Sequence, residues 1–182
     1  MMETKRKKDP RQQYKGYVNR EKGQTFEKII EAACREYSLK GAANIEKTPE
    51  PMRVIKRLDK GRFVAVFEKK AQPDFKGTLD GGQTVVFEAK SSEGDRILQR
   101  AVTPTQTESL NIHWAMGATV FVLVCMNRET YYRVPWEVWR KMKTHYGRLY
   151  MKLEELKAFE ITFDLTLKFL QGVNRYGHAA RF

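Results

Sequence analysis

The hydrophobic and polar positions along the chain predict a sheet of several strands with helices before, between and after them. Apolar residues recur at helical spacing from Phe26 to Tyr37, and Gly41 marks a point where that helix can end. Short apolar or alternating stretches that are bounded by turn residues predict strands. We expect these strands near residues 52–57, 63–67, 74–79, 84–90, 118–125 and 130–134.

Two glycine-containing turns are predicted between neighbouring strands, at Asp59-Lys60-Gly61 and at Asp80-Gly81-Gly82. The stretch 44–51 predicts a loop or a short extended piece, and the polar stretch 91–102 predicts a mobile loop. Both turns join strands that are adjacent in sequence, so each predicts an antiparallel hairpin.

Capping residues predict two further helices. Thr103 or Thr105 is expected to cap a helix that runs to about Met116, with Pro104 in its first turn, and Pro135 is expected to open another. Together with the strands, this order of elements predicts an α/β fold in which helices flank a mixed central sheet.

The N-terminal residues 1–22 differ from the rest of the chain in being basic and poor in apolar side chains. Such a segment buries too little surface to offset its chain entropy, so we expect a flexible basic arm. The remaining residues, 23–182, suit one domain with a single core, which includes a basic hairpin at about 52–67.

The charge of the chain indicates a polyanionic partner. Lys and Arg number 34 against 22 Asp and Glu, which gives a formal net charge of +12. A field of this sign attracts DNA or RNA, because basic side chains release the counterions condensed on phosphates. The alternative is a soluble protein whose basic surface has no such partner. We expect a cytoplasmic protein, because no secretory signal is recognisable and Cys34 and Cys125 suit reduced core residues.

Candidate chemistry lies on the two strands joined by the second turn. Alternate side chains of a strand share a face, so Glu88 and Lys90 point the same way, and the hairpin can bring Asp74 beside Glu88. Two carboxylates suit Mg²⁺, and an ammonium beside them can orient water or stabilise charge on a phosphate. The trio predicts phosphodiester hydrolysis; the alternative is an exposed strand with ordinary charges.

The pattern Asp74…Glu88-x-Lys90 resembles the PD-(D/E)xK signature of restriction-endonuclease-like nucleases. More narrowly, the stretches 67–77 and 86–90, followed by Gln106 in the next helix, resemble the RecU family of Holliday-junction resolvases. Gly23-x-x-Phe26-Glu27 and Pro49-Glu50-Pro51 extend the resemblance, which runs with gaps over about residues 19–140.

The resemblance implies a homodimer that cuts four-way junctions by paired symmetric nicks during recombination or repair, in the cytoplasm of a bacterial or phage-infected cell. It implies that Asp74 and Glu88 bind Mg²⁺, for which Mn²⁺ can substitute, and that Lys90 is the catalytic lysine. Gln106 would position water or phosphate. Glu27 would lie near the metal; its alternative is a solvated helix glutamate.

The resemblance further implies a stalk that engages the junction centre, here the basic hairpin. Candidate DNA contacts on and near it are Arg53, Lys56, Arg57, Lys60, Arg62 and Lys76. The short stalk, Gln72-Pro73 before the aspartate and Thr103-Pro104-Thr105 before Gln106 indicate a divergent or phage-type member. Two other hypotheses remain open: another nicking or structure-selective nuclease of the same fold, and a basic accessory protein that binds DNA without cutting it. Other recombination proteins are further candidate partners.

Overall fold

The computed structural model describes residues 10–67 and 72–173, with side chains described from Thr25 onward. Its helices are α1 (Pro10–Leu39), α2 (Pro104–Ala115), α3 (Trp136–Arg140), α4 (Met142–Tyr146) and α5 (Leu153–Leu156), with 3₁₀ turns at Gln99–Ala101 and Lys157–Phe159. Its strands are β1 (Ala43–Lys47), β2 (Met52–Arg57), β3 (Phe63–Phe67), β4 (Phe75–Leu79), β5 (Thr84–Ser92), β6 (Arg96–Leu98), β7 (Thr119–Met126), β8 (Thr130–Pro135), β9 (Tyr150–Lys152), β10 (Glu160–Ile161), β11 (Phe163–Asp164) and β12 (Thr166–Leu167).

The central sheet has six strands in the order β1-β4-β5-β7-β8-β10. Strands β5 and β7 are parallel, whereas the other neighbouring pairs are antiparallel. Antiparallel neighbours close in sequence are joined by short turns, while the parallel pair requires the longer connection that contains α2. The predicted α/β class, a mixed central sheet flanked by helices, is confirmed.

Hydrophobic side chains cover both faces of the sheet, which explains why β7 is a nearly continuous apolar run. On one face, Phe26 and Ile30 of α1 belong to a buried cluster with Phe87 of β5. On the other face, Leu110 of α2 and Trp136 of α3 belong to a second buried cluster with Val86 of β5 and the valines of β7. The sheet is therefore the middle layer of the fold, and a polar side chain on it is buried unless it lies near an end.

The predicted turns and caps are confirmed. Lys60 and Gly61 have φ values of 59° and 72°, and Gly81 and Gly82 have φ values of 88° and 87°. These left-handed conformations suit two-residue hairpin turns, and glycine adopts them without strain. The first helix ends before Gly41, as expected.

The expectation of a flexible arm over residues 1–22 is corrected where the structure describes it. Helix α1 begins at Pro10, well before Phe26, where the apolar spacing starts. The apolar pattern alone missed this start, because the residues from 11 onward are rich in Arg, Gln, Lys and Glu, which favour helix without an apolar face, and proline is tolerated in a first turn. Residues 1–9 lie outside the described part of the chain.

Two predicted loops are also partly ordered as strands. Residues 43–47 form β1, which pairs with β4. Strand β5 continues to Ser92, and β6 follows with Ile97 buried, so the expectation of a mobile loop over 91–102 is wrong. Strand β6 pairs with β9, more than fifty residues later in the chain, and local sequence does not indicate such a partner. No helix within residues 10–67 and 72–173 is long and apolar enough to cross a membrane.

Candidate nuclease site

The hairpin of β4 and β5 brings Asp74 to Glu88. Phe75 lies opposite Phe87 in the antiparallel register, so the preceding residue, Asp74, comes beside Glu88. The Oδ2 atom of Asp74 accepts a hydrogen bond of 2.9 Å from the backbone N–H of Ala89. This bond fixes the Asp74 carboxylate against β5 and therefore against the side chain of Glu88.

Lys90 completes the trio that the alternation of β5 predicts. Its Nζ atom donates to Glu88 Oε2 at 2.8 Å and lies 3.6 Å from Asp74 Oδ2. The Lys90 side chain is 17% exposed, so most of its length is covered by protein. One ammonium therefore bridges both carboxylates on one face of the sheet.

Helix α2 supplies the fourth group. The side chain of Thr103 caps the helix by accepting from the backbone of Gln106, and the Gln106 Oε1 atom accepts from the Thr103 N–H at 3.0 Å. This capping box holds the Gln106 amide in one orientation. Its Nε2 atom then donates to Glu88 Oε2 at 2.6 Å. Capping and positioning thus use opposite ends of the same amide.

Glu88 is the only charged side chain with 0% exposure among those that the structure describes. Burial, and after it the neighbouring Asp74 carboxylate, raise the pKa of Glu88 to about 8, although Lys90 acts in the opposite direction. The Oε1 atom of Glu88 is buried and has no hydrogen-bond partner within the described residues. A buried acceptor with no donor is unfavourable unless something else, such as a cation, satisfies it.

The donor set fits a hard divalent cation. Within the described residues there is no cluster of three or more His, Cys, Asp and Glu side chains that could hold a metal ion. Mg²⁺, however, commonly takes only one or two carboxylates and completes its shell with water and phosphate oxygens. Asp74 and Glu88 supply two carboxylates, and Glu88 Oε1 is an oxygen that still lacks a partner.

Lys47 is a residue of this region that sequence reasoning missed. It lies opposite Phe75 in the pairing of β1 with β4, and its Nζ atom donates to Glu27 Oε2 at 2.5 Å. The Glu27 carboxylate raises the pKa of Lys47 most, and Glu31 and Asp74 raise it as well. Lys47 therefore lies close enough to Glu27 and Asp74 for both carboxylates to stabilise its charged form. The stretch 44–51 was predicted as a loop or a short extended piece, and the spacing of Ile45 and Lys47, which share a face in a strand, was the available signal for the second.

The candidate DNA contacts are not part of this cluster, with one exception. Lys76 pairs across the hairpin with Val86, so it shares the sheet face of Glu88, and its Nζ atom donates to Gln72 at 3.3 Å. The others lie on the exposed hairpin of β2 and β3: Arg53, Lys56, Arg57, Lys60 and Arg62.

Comparisons with known proteins agree with the motifs. A family model described as "Recombination protein U" matches residues 21–175. Proteins named "Holliday junction resolvase RecU" from Streptococcus pneumoniae, in strains G54 (serotype 19F) and 70585, are each 26% identical over 155 residues, covering 81% of this chain and 77% of the relative.

A solved structure is similar as well. It is that of Hjc from Archaeoglobus fulgidus, described as a Holliday junction resolvase from an archaeal hyperthermophile. The match has a TM-score of 0.48 and 12% sequence identity, and it covers 76% of this chain and 89% of that one. The family assignment rests instead on the family model, which matches well over half of the residues and agrees with the resemblance seen in the motifs. This chain belongs to the RecU family.

Proposed function

We propose that this protein is a metal-dependent DNA endonuclease that resolves four-way junctions by paired symmetric nicks. The observation that carries the proposal is the buried Glu88 carboxylate, which lies beside Asp74 and accepts hydrogen bonds from Lys90 and Gln106. The four-way junction as substrate is suggested by the RecU relatives, whose name specifies it. The net charge of +12 suits a DNA partner.

Asp74 and Glu88 are the residues that would hold the metal, with Mg²⁺ as the expected ion and Mn²⁺ as a substitute. When bound, a divalent ion offsets phosphate charge and makes a coordinated water more acidic. Glu88 must be ionised to bind it, and the ion would satisfy the Glu88 Oε1 atom that now lacks a partner. This requirement explains why a carboxylate is retained in an otherwise apolar layer.

Lys90 is proposed as the catalytic lysine. Its Nζ atom is held between the two carboxylates, so its position is fixed before DNA binds. A fixed ammonium favours a reaction in which negative charge grows on a phosphate, because it needs no reorganisation as the charge develops. Lys90 would also orient the water that attacks the phosphorus.

Gln106 and Glu27 are proposed to act through neighbouring groups. Gln106 donates to Glu88 Oε2 and so leaves the other oxygen, Oε1, for the metal. Glu27 is 27% exposed and is paired with Lys47, whose pKa Asp74 also raises, and this connection supports an indirect role. Positioning groups of this kind keep the ligands in the geometry that the metal requires.

The hairpin of β2 and β3 is proposed to bind DNA and to contribute to a homodimer. Residues paired across a hairpin share a face, so Arg53 and Lys56 lie on one face with Val66 and Val64. Arg57 lies on the other face with Met52, Val54 and Phe63. These three apolar side chains are 56%, 49% and 55% exposed. An exposed apolar surface favours a partner, and a second copy of this chain would give the two-fold symmetry that paired nicks require.

The test compares three DNA substrates. A mobile four-way junction, a linear duplex and a single strand are each incubated with the protein in Mg²⁺ and in EDTA. Paired nicks at symmetric positions in the junction, made only with Mg²⁺, are expected. Equal cutting of all three substrates would indicate another nuclease of the same fold. Binding without cutting under either condition would indicate an accessory protein and would overturn the proposal.

A further inference from the structure

A cavity of about 600 Å³ opens beside the first turn of α2. Pro104 and Thr107, which line it, flank Gln106 along the chain. The Nε2 atom of Gln106 is in turn 2.6 Å from Glu88. Because successive residues of a helix rise by only about 1.5 Å, the cavity begins within about one helical turn of the carboxylate cluster. The cavity is therefore near enough to that cluster for one DNA strand to contact both.

The walls of the cavity are largely apolar and aromatic. They include Leu98, Val102, Trp136, Trp139 and Tyr150. The two tryptophans are buried, so the deep wall is set by the core and is rigid. A preformed apolar cleft of roughly 300–1,000 Å³ is typical of sites that take a small organic group, and a nucleobase is such a group.

Arginines surround the opening. Arg100 and Arg140 line the cavity and are exposed, and no ion pair of either is found within the described residues. The Arg140 guanidinium lies over the Trp114 ring at 4.8 Å, and this contact holds it in place without neutralising its charge. Arg148 lies over the Tyr150 ring at 4.7 Å and is paired with Glu155, so its charge is already balanced. Arg100 and Arg140 therefore keep a positive charge with which they can bind an anion. Guanidinium groups recognise phosphate oxygens with two parallel donors, and an apolar cleft between two of them fits the base and the phosphates of one nucleotide.

We infer that this cavity binds one unstacked nucleotide of the DNA strand next to the cut. The base would occupy the apolar cleft, and Arg100 and Arg140 would contact the phosphates on either side of it. This inference rests on the proposed nuclease function, because only that function brings a DNA strand to α2. The bound nucleotide would be a second contact between the protein and the strand. It would fix the position of the strand while the scissile phosphate lies at the carboxylate cluster.

Stacking in the cavity is tested with a fluorescent base. A mobile four-way junction carries 2-aminopurine at one position at a time on each side of the mapped cut, and emission is measured with the full-length protein in EDTA, where the DNA is not cut. Emission rises when 2-aminopurine leaves the base stack. We expect a severalfold rise at one position, within a few nucleotides of the cut, and no rise at the others.

Thr107 provides a matched pair of variants. Thr107→Phe places a ring in the cavity, whereas Thr107→Ser leaves the cavity open. We expect the emission to rise with Thr107→Ser as with the unmodified protein and to be lost with Thr107→Phe. Thermal unfolding of both variants shows whether they are folded.

The two arginines are tested independently of the cavity's shape. Arg100→Ala and Arg140→Ala should each lower the slope of log Kd against log salt concentration by about one, because each removes one phosphate contact. Lys157→Ala is the control, since Lys157 is an exposed cation that does not line the cavity, and it should leave the slope unchanged.

The outcomes separate this inference from the proposed function. If the same preparation cuts the junction in Mg²⁺ but no labelled position responds, the nucleotide site is wrong and the nuclease function stands. An emission rise that persists in folded Thr107→Phe, or salt slopes that change as much in Lys157→Ala as in the arginine variants, would also overturn the site. If no cutting occurs in Mg²⁺, the proposed function itself fails.

Discussion

The carboxylate cluster and the hairpin of β2 and β3 use similar residue types in opposite ways. In the cluster, Glu88 is fully buried, and hydrogen bonds of 2.6 and 2.8 Å from Gln106 and Lys90 fix its Oε2 atom. In the hairpin, every basic residue is exposed. The first region lies on the six-stranded sheet beside α2, whereas the second is a separate sheet of two strands.

This difference predicts that the cluster determines the rate of DNA cleavage and that the hairpin determines the affinity for DNA. Burying a carboxylate is unfavourable, and a protein retains such a group where its chemistry requires it. Exposed cations each add a small, screened attraction, and they adapt to many positions of a phosphate backbone. We therefore expect changes in the cluster to abolish cleavage and to leave binding intact, and changes in the hairpin to do the reverse.

The largest effect is expected from removing any one member of the trio. Asp74→Ala, Glu88→Ala and Lys90→Ala should each lower the single-turnover cleavage rate of a four-way junction about 10³-fold or more, because each removes a metal ligand or a fixed charge at the phosphate. Junction binding, measured by gel shift in EDTA, should change little. Glu108→Ala is the matched control, since Glu108 is an exposed acid on α2. Full activity in one of the three variants would exclude that residue from the mechanism.

A smaller loss is expected when the Gln106 amide is replaced by a carboxylate. Gln106→Glu keeps a residue that can form the capping box with Thr103, but it removes the donor to Glu88. We expect cleavage to fall about 10- to 100-fold, the range typical of groups that orient a metal ligand, with little change in the thermal unfolding midpoint. A large drop in that midpoint would mean that Gln106 is mainly structural.

Burial of Glu88 is expected to make the metal-free protein less stable as pH rises. The pKa of Glu88 is raised from 4.5 to about 8, so the folded state holds a proton that the unfolded state has released between these values. Stability should therefore fall from about pH 4.5 to about pH 8. Glu88→Gln, which stays neutral, should be more stable than the unmodified protein by about 4 kcal/mol at pH 8 and no more stable below pH 4.5. Denaturant unfolding in EDTA measures the difference in the free energy of unfolding between the two proteins. A difference of equal size at pH 4 would contradict this explanation.

The smallest effects are expected in the hairpin. Arg57→Ala and Lys60→Ala should each weaken junction binding about threefold and lower the salt slope by about one, because each removes one phosphate contact. Cleavage at saturating protein should be unchanged. Lys157→Ala again serves as the control. If a hairpin variant cleaves more slowly but binds the junction with unchanged affinity, the hairpin positions DNA for the reaction. That result would contradict the separate roles proposed for the two regions.

The parts of the site that depend on local sequence could be predicted, and the parts that depend on distant pairing could not. Asp74 and Glu88 are joined by one hairpin, whose turn residues are evident, and Thr103 caps the helix that carries Gln106. Lys47, by contrast, reaches this region only because β1 pairs with β4. Pairing between strands so far apart is decided by packing, which short-range patterns do not encode.

The same distinction explains the remaining errors in the fold. Ile97 is a lone apolar residue in a polar stretch, and its burial depends on pairing between β6 and β9. The start of α1 at Pro10 reflects residues with high helix propensity but no apolar periodicity. In both places the hydrophobic pattern was weak. Strand pairing determined the structure in the first, and helix propensity determined it in the second.

The central claim is that Asp74 and Glu88 hold a divalent ion at the point where DNA is cut, and Mn²⁺ titration followed by electron paramagnetic resonance tests it most directly. Free Mn²⁺ gives a strong signal that is lost on binding, so occupancy is read without any cleavage. The account predicts that the unmodified protein binds Mn²⁺ more tightly as pH rises toward 8, since Glu88 must lose its proton, and that Glu88→Gln and Asp74→Asn do not bind it. Equal Mn²⁺ binding by Glu88→Gln and the unmodified protein would contradict it.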